Sequence, residues 1–525
     1  MNPPKGLALL LAIAAVALAV FSQGKTWPMV ISQCLLAGSW LLVRGRSTDQ
    51  RGVTPLWIVP VGIAVIFATI SVPSAADESA YRFQARVFGA GQLAAPAPAG
   101  KTLVNNTHKN EFFLVHTVQR EGKWFVQYVP GWPAIAAIPE KFGLGRFVNP
   151  FLAVLVLWLT WKIAAHLDGP ETARRALFFL VLSPMFLLNF SGYYSHGVVI
   201  VLVAAATWLA ILDTGDGWVK PVSILASIAV VSLARPYDAL VCAVPLMAMV
   251  LWKRRRRPLA IAGCAGLAIL AAGLAAGAQA YYNFSQAGDP WKSLYAVYRG
   301  NEELGKMLQV TPGAMWANLR VLAMRSVIKT AASMFAFPML LWAAWSAVRS
   351  RRMEYLLLGF LVASIPLAYL IMAEQSDTVI GERYYLGTIF ALAILAAVGS
   401  GGYVPRWLIA CSMLAAAAGT FWFSGIQQQR WAPFAAVEAL AVARTDPGEV
   451  VFLATRPEST FAPTDTNMNY PDWPWARPLT MPDPGPERRN AIACQLGRRT
   501  WTVVMPPGLG APATITAPFA ANCPP

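Results

Sequence analysis

Charged residues are scarce in this 525-residue chain, where Asp, Glu, Lys and Arg together make up only 13% of the sequence. That is about half of their usual share in globular proteins. Hydrophobic residues make up 56%. This composition excludes a disordered chain and argues against a soluble enzyme of this length. We therefore expect one large membrane body with a smaller soluble part.

Acidic residues are scarcer than basic ones, with 26 Asp and Glu against 42 Lys and Arg, so the net charge is +16. In a soluble protein this excess would suggest nucleic-acid binding. Here the basic residues cluster in short loops between apolar runs, and no basic-aromatic motif for nucleic acid occurs. The pattern is the positive-inside bias of a multi-pass membrane protein, so we expect no nucleic-acid partner.

Cysteine and histidine are rare, with six and four residues. No Cys-x-x-Cys or His-rich pattern indicates a metal site. Cys494 and Cys523 lie outside the apolar runs and can form a disulfide if their compartment is oxidising. The remaining cysteines lie within apolar runs and are interpreted as packing residues: Cys34, Cys242, Cys264 and Cys411.

Long apolar runs dominate the first four-fifths of the chain. Runs of roughly 17–25 residues can span a bilayer as helices, and we count about thirteen, some of them short or broken by Pro and Gly. The predicted fold is therefore an all-α polytopic membrane protein. The runs cover residues 6–22, 27–43, 55–73, 147–165, 175–190, 197–213, 219–234, 238–252, 258–280, 328–347, 354–373, 384–399 and 405–423.

The loops between these runs predict the orientation. If the N-terminus is cytoplasmic, every dense basic cluster lies on the cytoplasmic side, as the positive-inside rule requires. We expect a protein of the cytoplasmic (inner) membrane with its C-terminus periplasmic or extracellular. The first run is expected to be retained, since residues 22–25 make a poor signal-peptide cleavage site. The clusters lie at residues 44–51, 174–175, 253–257 and 349–352.

Three segments then face outward: loops 74–146 and 281–327, and the tail from residue 424. We expect a transmembrane catalytic body over 1–423 and a small α/β domain outside the membrane over 424–525. Residues 450–454 and 501–505 are short apolar runs typical of buried strands, and a helix is predicted near 486–494.

The first outer loop contains a predicted amphipathic helix. Its apolar stripe faces one side and its polar stripe the other, so we expect the helix to lie on the membrane surface. The polar stripe is Glu78, Arg82 and Arg86, and the apolar stripe is Tyr81, Ala85 and Phe88.

Asp77 and Glu78 begin this helix directly after the third apolar run. Ser74 and Asp77 have the spacing of a capping box, and acids in the first turn suit the helix dipole. Glu78 can also pair with Arg82 at i, i+4. Helix capping and catalysis both remain open for these two residues on this pattern alone.

Other polar residues lie at the outer ends of the apolar runs. Gln127 and Tyr128 precede a rigid Pro-Gly-Trp-Pro turn, whereas Trp124 and Trp132 fit an aromatic belt at the interface. Arginines beside membrane spans must be paired or face water. Several cationic residues at one membrane level, opposite a loop with acids, therefore predict a site for an anionic ligand. These residues are His196, Arg235 and Arg383, to which Arg82, Arg86 and Lys109 can add.

Together these motifs resemble the GT-C superfamily of membrane glycosyltransferases, in particular the bacterial protein O-mannosyltransferases and aminoarabinose transferases. The resemblance covers most of the membrane body, although family members usually place the acidic loop after the first span, not the third. The motifs that carry it are Asp77-Glu78-x-x-Tyr81-x-x-Gln84-Ala85-Arg86, Gln127-Tyr128-x-Pro130-Gly131-Trp132-Pro133, Ser195-His196, Arg235-Pro236-Tyr237, Tyr282-Asn283, Gly288-Asp289-Pro290 and Arg383-Tyr384-Tyr385.

The resemblance implies a sugar donor linked to polyprenyl phosphate and an envelope glycan, lipid or protein acceptor at the outer face. Asp77 and Glu78 are then the catalytic candidates. The donor phosphate would be bound by Arg82, Arg86, Lys109, Arg235, Arg383 and His196. The substrate contacts would be Tyr81, Gln127, Tyr128, Tyr237 and Tyr384.

An acceptor hydroxyl needs a carboxylate base, for which Asp77 is the candidate, and the departing phosphate needs cationic side chains. One direct displacement inverts the anomeric carbon, and we favour inversion because neighbouring residues of a helix diverge by about 100°. No cofactor is required, although Mg²⁺ or Mn²⁺ on the acidic pair is possible.

Three alternatives remain. The first is a transporter or flippase for a lipid-linked sugar, which should carry midplane charges and inverted repeats. The second is a non-catalytic scaffold with the tail as a binding module. The third is a glycan ligase or polymerase that uses a polyprenyl diphosphate donor.

Overall fold

A computed structural model gives the fold of this chain. It describes residues 3–22, 25–44, 56–70, 76–98, 114–300, 311–371, 383–400, 405–456, 459, 461–463, 467–472, 476–508 and 511–523. Lys109 lies outside these residues, and so do Ser74 and the side chain of Tyr384.

Apolar helices make up the body. Most of them are hydrophobic over most of each turn, so they can pack against one another and against lipid; α7 is the exception, with Glu171, Arg174 and Arg175 in its first two turns. In chain order they are α1 (Pro3–Phe21), α2 (Thr26–Arg44), α3 (Ile58–Ala68), α6 (Val148–Asp168), α7 (Pro170–Val181), α8 (Pro184–Phe190), α9 (His196–Leu212), α10 (Val219–Ala234), α11 (Pro236–Lys253), α12 (Pro258–Ala287), α15 (Ile328–Ser333), α16 (Phe337–Val348), α17 (Met353–Ala368), α18 (Ile389–Gly399) and α19 (Arg406–Val442).

The short helices lie between these spans. They are α4 (Ala76–Gly89), α5 (Gly131–Lys141), α13 (Leu294–Arg299) and α14 (Pro312–Val321), with a π-helical turn at Leu322–Val327 and 3₁₀ turns at Gly145–Phe147, Tyr369–Ile371 and Arg383–Thr388. A three-stranded antiparallel sheet in the first outer loop has the order β1 (Ala95–Pro96), β3 (Lys123–Val126), β2 (Thr117–Arg120).

The helices show a multi-pass membrane protein. Within the described residues, six helices are long and apolar enough to cross a bilayer, and a seventh crossing results if α7 and α8, which meet at 70°, form one bent span. Each of the thirteen predicted runs contains a helix, but several helices are shorter than the run that predicted them. The count of thirteen crossings stays a prediction.

One predicted span, residues 328–347, is broken at Met334–Ala336. Backbone groups freed inside a membrane must find partners within the protein. The Gln33 side chain accepts a hydrogen bond from the Ala336 amide (2.7 Å), and the Ser183 hydroxyl donates to the Ser333 carbonyl (3.1 Å). These partners come from distant parts of the chain, so the break is not visible in the local sequence.

The tail forms the expected small α/β domain. Strand β4 (Glu449–Leu453) pairs in parallel with β5 (Leu479–Pro482) and β6 (Thr500–Met505), and α20 (Pro486–Gln495) connects the last two. The short strands β7 (Thr514–Ile515) and β8 (Phe519–Ala520) add antiparallel to β6. Both predicted strands and the predicted helix are present.

Helix α19 joins the tail to the body without a break, from Arg406 to Val442. The expected boundary at residue 424 therefore falls inside a helix. The division into 1–423 and 424–525 stays a proposal about function and does not mark a structural hinge.

Helix α4 is buried on two faces, whereas we expected one apolar face and one polar face. Tyr81 and Ala85 pack into the core of the membrane body, while Ala80, Phe83 and Val87 pack into a core shared with the tail strands. The amphipathic pattern predicted burial only for the face that carries Tyr81 and Ala85. The helix is buried on both sides because the tail covers the face that we expected to meet solvent.

The two tryptophans assigned to an aromatic belt are buried as well. Trp132 packs in the body core and donates from its indole N–H to the Tyr193 carbonyl (3.1 Å), and Trp124 packs against Phe83. Gly131 allows α5 to approach α10, because a Cβ atom here would lie 2.5 Å from the Leu233 carbonyl carbon.

The structure joins Cys494 at the end of α20 to Cys523, with a sequence separation of 29 residues. A crosslink of this length restricts the unfolded tail and stabilises the folded domain by about 3 kcal/mol.

We predict that alkylation of the denatured, non-reduced protein modifies the four other cysteines, and that reduction exposes all six. Mass spectrometry of tail peptides reads this out directly. Two modified tail cysteines before reduction would contradict the disulfide and an oxidising location for the tail.

Candidate functional site

Asp77 is the centre of the candidate site. It lies in the first turn of α4, and about a fifth of its side chain is exposed. Its Oδ2 atom is 2.8 Å from a guanidinium nitrogen of Arg383. Its Oδ1 atom is 3.1 Å from Nε2 of His116 and accepts a hydrogen bond from the Tyr128 hydroxyl. The two carboxylate oxygens thus have different partners.

These partners decide the ionisation of Asp77. Burial by itself raises the pKa of a carboxyl group. The charge of Arg383 and the hydrogen bonds from His116 and Tyr128 outweigh burial, so the pKa of Asp77 lies far below its ordinary value. Asp77 is therefore an ionised hydrogen-bond acceptor at every physiological pH.

Arg383 begins the 3₁₀ turn that leads into α18, and its guanidinium carbon lies 5.0 Å from the centre of the Tyr194 ring. The Arg383 side chain is 16% exposed. It is thus held by an anion on one side and by an aromatic face on another, an arrangement that suits a partly buried guanidinium.

A second arginine lies in the same cluster. Arg235, between α10 and α11, pairs with Asp238 and lies 3.3 Å from both His196 Nδ1 and the Tyr369 hydroxyl. Tyr237 donates to the Ala368 carbonyl and packs edge-on against the Tyr369 ring.

Tyr81 shows that the two arginines and Asp77 form one cluster. Its hydroxyl lies 3.4 Å from the Ser195 hydroxyl, and its ring stacks on Tyr128 with the ring centres 4.5 Å apart. Burial and the charge of Asp77 raise the pKa of Tyr81 to about 12, while Arg235 and Arg383 act in the opposite direction. The cluster therefore contains two guanidinium groups, of which Arg383 pairs with Asp77 and Arg235 pairs with Asp238.

The hydrogen bond of Glu78 goes to a different element from the contacts of Asp77. It is fully buried, and its Oε1 atom accepts a hydrogen bond from the Tyr193 amide (2.6 Å) in the turn between α8 and α9. The turn passes so close that a Cβ atom on Gly192 would lie 2.8 Å from the same oxygen. Glu78 thus fixes the turn that carries Tyr194, Ser195 and His196.

Arg82 and Arg86 form a second cluster around Glu140 of α5. Their Nε atoms lie 2.9 and 3.1 Å from Glu140 Oε1, and Arg82 also pairs with Glu438 of α19. Burial lowers the pKa of Arg82, but the charges of Glu438 and Glu140 outweigh it and raise that pKa. The expected Arg82–Glu78 pair is therefore replaced by pairs with two other helices.

Arg86 also binds the tail. It donates to the carbonyl groups of Met468 (3.1 Å) and Asn469 (3.3 Å), and the Tyr470 ring covers its guanidinium at 3.9 Å. Nearby, Ser79 and the Asn467 amide are joined at 2.5 Å. These contacts hold α4 against the tail, so Arg82 and Arg86 do not join Arg235 and Arg383 around Asp77.

The structure therefore divides the predicted site residues into two groups. In one group Tyr128 and Arg383 contact Asp77 directly, and the other members connect to it through further residues: Tyr81, Gln127, His196, Arg235 and Tyr237. The other group, Glu78, Arg82 and Arg86, holds α4 in place.

Sequence reasoning missed His116, Tyr194, Glu140 and Glu438. In the sequence, His116 stands out only as one of four histidines. Glu140 and Glu438 stand out only because the chain has few acidic residues. Their partners lie far along the chain, so no local pattern connects them.

Asp77 leads to a pH prediction for stability. Because its folded-state pKa is below the unfolded value of about 3.9, the ionised group contributes its full stability above about pH 5, and this is lost as the pH falls below about 4. We expect the Tm difference between wild type and Asp77→Asn to stay constant from about pH 8 to 5 and to fall below about pH 4.

Thermal unfolding in detergent measures this difference, and Arg383→Gln provides the control. In that background the loss should begin at about the same pH but be smaller and end at a higher pH, since without Arg383 the folded-state pKa of Asp77 is less depressed. A difference that already shrinks between about pH 7 and 5 would contradict an ionised, arginine-bound Asp77.

No protein-family model and no curated protein matches this chain. Among solved structures, it is similar to ArnT from Cupriavidus metallidurans, both in the apo state and bound to undecaprenyl phosphate. In each case the TM-score is 0.52 and the identity 14%, over 86% of this chain and 92% of that chain. A weaker likeness, with a TM-score of 0.42 and 11% identity over 86% of this chain and 69% of that chain, is to the oligosaccharyltransferase AglB from Archaeoglobus fulgidus.

The likeness to ArnT spans the membrane body and reaches into the tail, since it covers most of both chains. It confirms the fold that the motifs around Asp77 predict. The chain therefore shares the fold of ArnT.

Proposed function

We propose that this protein is a membrane glycosyltransferase that moves a sugar from a polyprenyl-phosphate-linked donor to an acceptor hydroxyl. The Asp77–Arg383 pair carries this proposal. It places an ionised carboxylate and a guanidinium 2.8 Å apart, both partly exposed, at one end of a helical body. A carboxylate can receive the acceptor's proton, and a guanidinium can stabilise a departing phosphate.

The donor class is inferred from two observations. Arg235 and Arg383 lie in one cluster with His196, which suits a phosphate at the membrane boundary. The structurally similar ArnT has been captured with undecaprenyl phosphate. A lipid phosphate needs both a polar pocket and access to the bilayer, and an arginine cluster at the ends of apolar helices supplies both.

The proposed reaction is a single displacement. The acceptor oxygen forms a bond to the anomeric carbon of the sugar while the bond from that carbon to the phosphate oxygen breaks. The phosphate keeps the electron pair and is stabilised by Arg383 and Arg235, and the acceptor's proton passes to Asp77. One displacement inverts the anomeric carbon.

The position of Glu78 supports inversion. A double displacement needs a second carboxylate that can reach the sugar. Glu78 is fully buried beneath the Tyr193 amide, so among this acidic pair only Asp77 has exposed surface. A product whose anomeric configuration matches the donor would overturn this step.

Arg383 also explains how an acid with so low a pKa can act as a base. While Arg383 is paired with Asp77, the carboxylate is a weak base. A donor phosphate that draws the guanidinium toward itself raises the pKa of Asp77. Donor binding would thus activate the base only when a leaving group is present.

In this proposal, cationic side chains balance the negative charge of the leaving phosphate, as a divalent metal does in other enzymes. Within the described residues, no three His, Cys, Asp or Glu side chains come together as a metal site. We therefore propose that the arginines alone balance a monophosphate leaving group. A diphosphate donor, the alternative, carries more charge and would favour Mg²⁺ or Mn²⁺ on Asp77.

We further propose that this end of the body faces outward. The opposite end carries the basic loops, including Arg254, which forms a buried pair with Asp213. Lys and Arg in short loops favour the cytoplasmic side. The tail would then lie outside the cytoplasm, next to the acceptor, in a multi-pass protein of the cytoplasmic membrane.

The first prediction of this proposal concerns cells. Cells with no protein, or with Asp77→Asn, should accumulate a polyprenyl-phosphate sugar and lack that sugar on an envelope glycan, lipid or protein. Loss of a general base lowers turnover by about 10²–10⁴-fold. Mass spectrometry of lipid extracts and envelope glycans identifies both donor and acceptor.

Asp216→Asn is the matched control, because Asp216 is an exposed aspartate that pairs with Arg257 in a basic loop. It should leave both extracts unchanged. A wild-type pattern in Asp77→Asn cells, at equal protein level, would contradict the proposed chemistry. A diphosphate-linked donor would support the ligase or polymerase, and donor trapped on the cytoplasmic side would support the transporter.

The second prediction separates the two arginine clusters. Arg383→Gln and Arg235→Gln should each weaken undecaprenyl phosphate binding by about 10-fold or more, because each loses a charge-assisted contact to the phosphate. Arg86→Gln should leave binding within about twofold but destabilise the protein by about 1–3 kcal/mol, since Glu140 keeps Arg82 but loses Arg86, and the tail carbonyls lose a donor.

Binding to the purified protein in nanodiscs and thermal unfolding measure the two effects. Weakened binding in stable Arg86→Gln protein would move Arg86 into the phosphate site. Unchanged binding in both Arg383→Gln and Arg235→Gln would show that the phosphate does not bind at this cluster.

A further inference from the structure

We propose that His116, fixed by Gln127, is a positioning residue that holds one oxygen of Asp77 so that the other oxygen acts on the acceptor. This inference deepens the proposed function and rests on it. It concerns His116, which lies in the first outer loop immediately before β2.

Hydrogen bonding determines which nitrogen of His116 carries the proton. The Gln127 side-chain nitrogen lies 2.6 Å from His116 Nδ1, and His116 Nε2 lies 3.1 Å from Asp77 Oδ1. An amide N–H that donates to Nδ1 leaves the hydrogen of a neutral imidazole on Nε2. That hydrogen points at Asp77. The three side chains thus form a directed chain from Gln127 through His116 to the carboxylate.

The backbone also holds His116 in one position. Its φ is +64°, a region that residues with side chains rarely adopt. Its carbonyl accepts a hydrogen bond from the Gln127 amide (3.0 Å), so the same residue binds His116 through both backbone and side chain. Strained residues of this kind persist where the surroundings determine them, often at functional sites.

Two tyrosines confine the ring. The centres of the Tyr128 and Tyr298 rings lie 5.3 and 5.8 Å from that of His116. Tyr298 comes from α13, in the second outer loop, which brings that loop to the site. The imidazole therefore cannot turn away from Asp77 without displacing an aromatic neighbour.

The partners of Asp77 give the two oxygens different roles. Arg383 contacts Oδ2, whereas His116 and Tyr128 contact Oδ1. When a donor phosphate attracts Arg383, Oδ2 is uncovered and Oδ1 remains held. The carboxylate then keeps its orientation at the moment its free oxygen must accept a proton. Without His116, only the Tyr128 hydroxyl would hold Oδ1, and the group could rotate.

The test compares His116→Ala with His116→Gln in the full chain reconstituted in nanodiscs. The donor is the lipid-linked sugar purified from cells that lack the protein, and undecaprenyl phosphate is the binding probe. His116→Ala should lower kcat by about 10- to 100-fold, the range for losing a group that orients a reacting one. KM for the donor and affinity for undecaprenyl phosphate should stay within about twofold.

His116→Gln should recover kcat to within about threefold of wild type, because its amide N–H can donate to Oδ1 in place of Nε2. Gln127→Leu should lower kcat by about 10-fold, because Gln127 acts on Asp77 only by holding His116 in place. The double variant His116→Ala/Gln127→Leu should then be no slower than His116→Ala, since the two residues act on one contact.

His166→Ala is the matched control. His166 packs edge-on against Trp208 within the membrane body, and its loss should leave kcat unchanged. Thermal unfolding of every variant distinguishes a loss of kcat caused by a misplaced side chain from one caused by unfolding.

Several results would overturn the inference. Wild-type kcat in folded His116→Ala would show that His116 does not position Asp77. Equal loss in folded His116→Ala and His116→Gln would show that the imidazole itself reacts, and weakened undecaprenyl phosphate binding in both would make it a phosphate ligand. If the wild-type protein neither transfers sugar nor binds undecaprenyl phosphate, the proposed function fails, and this inference fails with it.

Discussion

The buried charges on α4 are the constraint on which the rest of this architecture depends. Asp77, Glu78 and Arg86 lie on one short helix between a membrane body and a sheet domain, where an uncompensated charge is costly. Each of them is compensated from another element: Asp77 by Arg383, Glu78 by the Tyr193 amide, and Arg86 by Glu140 and the tail carbonyls. The helix can therefore occupy its place only when the body, α5, α19 and the tail are all assembled around it.

This arrangement places fully buried and partly exposed charges on one helix. The charges that bind α4 to its neighbours, at Glu78 and Arg86, are almost fully buried, whereas Asp77 keeps some exposed surface. A buried pair contributes little net stability, but it determines position strongly, because breaking it leaves a charge without compensation. The buried cluster around Glu140 thus fixes the helix that carries the more exposed Asp77–Arg383 pair.

The sequence predicted the features that local pattern encodes. Apolar runs located helices throughout the body, and the strands at 450–454 and 501–505 followed from short buried runs between proline-rich loops. The same patterns brought out Asp77, Arg235 and Arg383 as charged groups at the ends of apolar runs. They could not show that Ala80, Phe83 and Val87 bury a second face of α4, because that face is covered by strands from the far end of the chain.

For the same reason, the sequence pattern could not show which arginine pairs with which acidic residue. Arg82, Arg86 and Arg383 look alike beside a membrane span, and only the folded chain shows that the first two meet Glu140 while the third meets Asp77. His116 was invisible as a partner of Asp77 because its role depends on a left-handed backbone and on the Gln127 amide.

The continuity of α19 has a consequence for how this architecture can vary. A helix of 37 residues is about 55 Å long, so it extends well beyond a hydrocarbon layer of about 30 Å and carries Glu438 with it to Arg82. Inserting one residue in such a helix would raise the tail by about 1.5 Å and turn it by about 100°, which would carry Glu438 away from Arg82. Related chains should therefore tolerate length changes in their surface loops but keep the number of residues in this helix. The length of the helix sets the distance between the bilayer and the tail.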